Sequence, residues 1–66
     1  MNDKLTAKEC EILLAFAENN MNRSEGARSL FMSPSGFYHH FDKIEDKTGL
    51  NPRNFYDLVK LLGIGG

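Results

Sequence analysis

Apolar residues recur along this chain at helical spacing, and no run alternates with period two. The pattern predicts helices over about residues 7–19, 23–30, 34–48 and 52–62, with a short tail at 63–66. In the first segment Cys10, Leu13, Leu14 and Ala17 share one face, which Ile12 and Phe16 widen. Glu9, Glu11 and Glu18 take the other side. Thr6-Ala-Lys-Glu9 reads as a capping box, and Asn19-Asn20 tolerates the left-handed backbone that closes helices. Asn22 caps the second segment with Glu25 at the box position, and Ser24 is the alternative cap. Ser33-Pro34 starts the third segment, where Phe37, Phe41, Ile44 and Thr48 share a face, and Gly49 ends it after Lys47. Asn51-Pro52 repeats that start signal. Phe55, Leu58, Val59 and Leu62 then point inward, Gly63 stops the helix, and Ile64-Gly65-Gly66 is a frayed tail.

These segments predict an all-α domain of four short helices sharing one core, with Phe16, Phe31, Phe37, Phe41 and Phe55 supplying much of it. Between Met21 and Gly49 the layout is helix, tight turn (Phe31-Met32-Ser33), helix. That is a helix-turn-helix, whose second helix usually enters the DNA major groove. Leu30, Met32, Phe37 and Phe41 form its apolar seam, and Ala27 lies where the two helices approach. Gly26 costs an isolated helix roughly 1 kcal/mol relative to alanine. Close packing against the third helix accounts for it better than a tolerated surface glycine.

Composition narrows the class. Sixty-six residues make one small domain. One cysteine allows no internal disulfide, and no metal-ligand spacing or cofactor motif is present. The opening MNDKLTAKECEILLAF carries interrupting acids and periodic apolar positions, unlike a secretory leader. No stretch is apolar enough for a membrane span, so a cytoplasmic protein is the expectation. Eight Lys and Arg face nine Asp and Glu, a net charge of −1. Electrostatic affinity for DNA should therefore be low per protomer. The acids gather at Glu9, Glu11 and Glu18 and at Asp42, Glu45 and Asp46, leaving a weakly basic face between Asn20 and Phe41.

The words AFAENN, ARSLFM, FYHHF and KIEDKTGLNPRNFYDLVKLL, at this spacing, resemble the C-terminal helix-turn-helix domain of PucR/CdaR-type transcriptional regulators, a Fis-like fold. The resemblance runs from Leu14 to Leu62, about three quarters of the chain. It implies DNA binding and transcription regulation. The departures fall on the reading helix. Ser33-Pro34-Ser35-Gly36 stands where the family has His-Arg-Asn-Thr, and His39-His40 where it has Tyr-Arg. Family members carry this domain behind a larger sensing region, so the resemblance transfers no effector.

With Phe37 and Phe41 inward, Ser35, Tyr38, His39 and Asp42 face outward. Ser33 and Ser35 hydroxyls can meet phosphate or a base edge near the helix N-terminus. Tyr38 can donate or stack, and His39 can donate to phosphate or guanine; the alternative is a pair of solvated rings. Asp42 repels phosphate or accepts from cytosine. His40 edges the core. Arg23 and Arg28 are candidate phosphate clamps, although Arg28 can equally pair with Glu25. Lys43 and Lys47, four apart, can touch the DNA backbone or solvate the surface, and Arg53 is a further backbone candidate. Cys10 reads as a buried thiol rather than a nucleophile.

Double-stranded DNA is the expected partner. One reading helix covers only a few base pairs, so specificity calls for a homodimer, with Ile12, Tyr56 or Leu61 as candidate contacts on the first or last helix. The alternative is a protein-interaction module on a helix-turn-helix scaffold, favoured by the acidity, Pro34 and Asp42. No nucleophile–base pair or phosphate loop suggests an enzyme.

Overall fold

The computed structural model describes residues 5–65; the first four residues and Gly66, the end of the expected tail, lie outside it. The chain is all-α: α1 spans Ala7–Glu18, α2 Arg23–Ser29, α3 Pro34–Thr48 and α4 Phe55–Gly65.

The local capping chemistry explains most of these boundaries. Thr6 Oγ1 accepts from the Glu9 amide at 3.1 Å, and Glu9 Oε1 accepts from the Thr6 amide at 2.9 Å, closing the capping box. Asn19 caps the other end of α1, its Nδ2 donating to the Ala15 carbonyl at 2.7 Å. Asn20 and Met21 follow at φ 58° and 60°, and the Met21 amide returns to the Phe16 carbonyl at 2.8 Å. Asn22, not Ser24, caps α2 by accepting from the Glu25 amide at 3.0 Å. Ser33 caps α3, and Pro34 occupies its first turn, where no amide proton is missed. Gly49 ends α3 at φ 77°, a conformation open to residues lacking Cβ.

The last helix differs from expectation. Asn51-Pro52 does not start it. Asn51 Oδ1 accepts from the Arg53 amide at 3.0 Å, which spends the side chain on a local turn, and Pro52 is buried within that turn. Asn54 supplies the cap instead, its Oδ1 accepting from the Asp57 amide at 3.1 Å, so the helix begins at Phe55. Nor does Gly63 stop it. The helix continues to Gly65.

The core comprises Leu5, Ile12, Leu13, Ala15, Phe16, Ala27, Phe37, Phe41, Ile44, Leu58 and Leu61. Three rings form its centre. Phe16 meets Phe41 edge-on at 4.8 Å between centroids, and Phe37 lies 5.4 Å from Phe41. Phe31 and Phe55 do not join them, being 98% and 59% exposed. Phe31 sits in the tight turn at φ 58°, which aims its side chain away from both helices. Helix α1 packs against all three other helices. Its buried stripe therefore runs through Glu9, Ile12, Leu13 and Phe16, and Leu14 lies on the outer edge, half exposed. Among the described residues, helix α4 packs on α1 alone, so it buries Leu58 and Leu61 with Leu62 half-buried beside them and leaves Phe55 and Val59 open. Ile12 and Leu61 are fully buried, which removes them as contacts for another chain.

Gly26 faces the Phe37 ring where α2 packs on α3. A Cβ there would lie 2.9 Å from Phe37 Cζ and 3.5 Å from the Phe16 backbone. Phe37 is itself fully buried and cannot swing clear. Gly26→Ala gains roughly 1 kcal/mol of helix propensity. It should lose more through overpacking, which typically costs about 1–3 kcal/mol. The expected net result is a destabilisation of about 1 kcal/mol, read by urea unfolding. A stabilised Gly26→Ala variant would rule out this account of the glycine.

Candidate nucleic-acid interface

Helices α2 and α3 pack through Gly26, Ala27 and Phe37, which buries one face of the first two turns of α3 and leaves the opposite face outward. Ser33 Oγ accepts from the Gly36 amide at 3.2 Å, and its own hydroxyl proton remains a donor. Ser35 and His39, one turn apart, are exposed, as is Lys43 one turn further on. His40 is half-buried, with its ring 6.4 Å from that of His39. Pro34 stands exposed at the start of the helix and offers no amide donor.

Tyr38 does not project as a free ring. It is half-buried, lies 4.7 Å from Phe41 in a tilted stack and meets Phe16 edge-on at 6.2 Å. The guanidinium of Arg53 sits 4.6 Å from its centroid and that of Arg23 5.0 Å. The expected stacking platform is thus occupied by the protein's own groups. Arg23 is brought from α2 to α3 by this contact. Arg28 is exposed and pairs with Glu25 at 3.5 Å, the bland reading of that residue.

Tertiary structure adds one group that sequence reasoning placed only loosely. Arg53 arrives from the turn before α4 and reaches across α3, where its Nη2 donates to Asp42 Oδ1 at 3.1 Å. Glu45 Oε1 lies 4.0 Å from Nη1. Asp42 is therefore half of an ion pair. The acids at 42 and 45 hinted at a cation nearby, but only the direction of the Gly49–Asn54 connection decides which cation comes.

Lys47 leaves the interface altogether. Its ammonium donates to Glu9 Oε1 at 2.7 Å, tying the C-terminal end of α3 to the start of α1. Burial pushes the Glu9 carboxyl up. The hydrogen bond from Lys47, those from Thr6 and the Lys47 charge outweigh that effect, so its pKa is lowered.

The model of the PucR C-terminal helix-turn-helix domain matches residues 10–62. The chain belongs to this family. A search of the curated proteins and a search of the solved structures found no match. The match places this PucR-type domain among the DNA-binding helix-turn-helix domains of transcription regulation. Among the described residues, no helix of the PucR-type domain is long and apolar enough to cross a membrane. Nor does any group of three His, Cys, Asp or Glu among them stand close enough to hold a metal ion. Cys10 is half-buried on α1.

Proposed function

We propose that this PucR-type domain is a sequence-specific DNA-binding module of a transcriptional regulator, acting in the cytoplasm as a dimer. The observation that carries the reading is the exposed face at the start of α3, where Ser35 and His39 stand one turn apart beside the Ser33 cap. In this reading the first turns of α3 enter the major groove. His39 donates to a guanine edge or a phosphate, Ser33 and Ser35 meet phosphate or a base edge, and the Tyr38 hydroxyl meets phosphate. Arg23, Arg28 and Lys43 lie along the backbone.

A second copy of the chain supplies the other half-site. The surface offered for it is the open, mostly apolar groove of about 310 Å³ between the end of α1 and α4, lined by Ala17, Asn20, Met21, Phe55, Leu58, Val59 and Leu62. Half-exposed Leu14 and exposed Tyr56 add apolar surface on the same two helices. A protein-interaction module is the second reading, favoured by the same apolar face and by the absence of a donor at Pro34.

An NMR titration with a mixed-sequence duplex separates the two. Non-specific binding is expected at roughly 10⁻⁴–10⁻⁶ M in about 50 mM salt and should weaken steeply by about 200 mM. The amides of residues 33–42, Arg23 and Arg28 should move. Sedimentation of the same samples should give a dimer on DNA. If no amide shifts at millimolar duplex, the DNA reading fails and a protein partner becomes the leading account.

A further inference from the structure

We propose that Arg53 is a DNA-phosphate contact which Asp42 and Glu45 hold back in the free protein, so that these acids set how strongly the reading helix binds non-specific DNA. The inference rests on the DNA-binding reading of α3.

Arg53 is fixed at its base and open at its tip. Pro52 is buried beneath it, and Asn51 Oδ1 accepts both its backbone amide at 3.0 Å and its Nη1 at 3.3 Å. The guanidinium then lies over Tyr38 at 4.6 Å and Phe41 at 5.5 Å. A stacked, anchored arginine loses little freedom when it takes a further partner. The side chain is still one-third exposed, and its partner Asp42 is two-thirds exposed. An ion pair this open to water contributes little, so it can be exchanged. The guanidinium has five N–H donors, of which the contacts to Asn51 and Asp42 use two. The rest suit the bidentate geometry of a phosphate.

Location supplies the other half of the argument. Tyr38 and Asp42 are one turn apart on α3. Ser35 precedes Tyr38 by three residues, and His39 precedes Asp42 by three. A guanidinium seated between Tyr38 and Asp42 therefore borders the face that presents Ser35 and His39. In the free protein Asp42 and Glu45 cancel its charge. Beside DNA, phosphate competes with those carboxylates. The modest cost of displacing them applies to every sequence alike, and a site that also satisfies Ser35 and His39 offsets more of it. The near-neutral charge of the chain then becomes a device that suppresses non-specific binding.

A double-mutant cycle tests this. Binding to a mixed-sequence duplex is measured by fluorescence anisotropy at about 50 and 200 mM salt for wild type, Asp42→Asn, Arg53→Gln and the double variant. Asp42→Asn should bind several-fold tighter, and Arg53→Gln should bind more weakly with a salt slope shallower by about 0.9, one phosphate contact. In the Arg53→Gln background, Asp42→Asn should bring no gain. An equal gain in both backgrounds means that Asp42 simply repels DNA, and the proposal fails. An unchanged salt slope in Arg53→Gln overturns it too. Should Arg53→Gln fold poorly, Arg53→Met, which keeps an apolar stem over Tyr38 and removes the charge, replaces it in the cycle with the same expected outcomes. A wild type that binds no duplex at low salt sinks the DNA reading itself, whereas a binding wild type with an additive cycle sinks only the role of Arg53.

Discussion

Replacing Phe41 with alanine should bring the domain to the edge of unfolding at 25 °C. The ring is fully buried and touches Phe16 at 4.8 Å, Phe37 at 5.4 Å and Tyr38 at 4.7 Å. Truncating a buried phenylalanine costs about 3–5 kcal/mol, through lost transfer energy and the cavity left behind. A chain of this length holds only about 3–10 kcal/mol in total. Phe31→Ala is the matched control. That ring is 98% exposed, so its removal should change stability by no more than about 0.5 kcal/mol. Urea unfolding followed by far-ultraviolet circular dichroism measures both. Equal losses in the two variants would mean that the aromatic centre is misplaced.

Lys47→Met should destabilise by about 1–3 kcal/mol near neutral pH, because it leaves the Glu9 carboxylate buried with its charge uncompensated. The Glu9 side chain is only 8% exposed and its partner 25%, so solvent screens the pair weakly. The pH dependence follows from the lowered pKa of Glu9. Its folded value lies below the ordinary carboxylate value of 4.5, so the ionised carboxylate contributes stability that is fully present above that value. That contribution is lost as pH falls through the folded pKa and Glu9 takes up a proton. Wild type should therefore lose stability on acidification more steeply than Glu9→Gln, which cannot titrate. The gap between wild type and Lys47→Met should close over the same range. Thermal unfolding between about pH 7 and pH 3 tests this across the carboxylate range. Parallel curves for wild type and Glu9→Gln would show that the ion pair does not contribute.

Several expectations failed for a shared reason. Leu14 and Ile12 are two residues apart on α1, and both suit an apolar face. Which one is buried depends on where α2, α3 and α4 sit around that helix. Phe55 and Val59 are as apolar as Leu58 and Leu61, yet α4 has one neighbour and covers one stripe. Glu9 and Lys47 each look like surface charges, and nothing in their local sequence marks a contact across 38 residues. The start of α4 moved because two asparagines compete for the same job. Asn51 is used in a turn, and Asn54 caps the helix.

Caps and periodicity are local properties. Thr6, Asn22, Ser33 and Gly49 satisfy or release backbone groups within a few residues, so the first three helices and the helix-turn-helix between them could be read from the chain alone. The words between Leu14 and Leu62 likewise carry the family. Burial register and charge pairing are not local, because they depend on which helix faces which. Packing alone decided that Phe31 is outside, that Lys47 is tied to Glu9 at the start of α1, and that Arg53 lies beside α3.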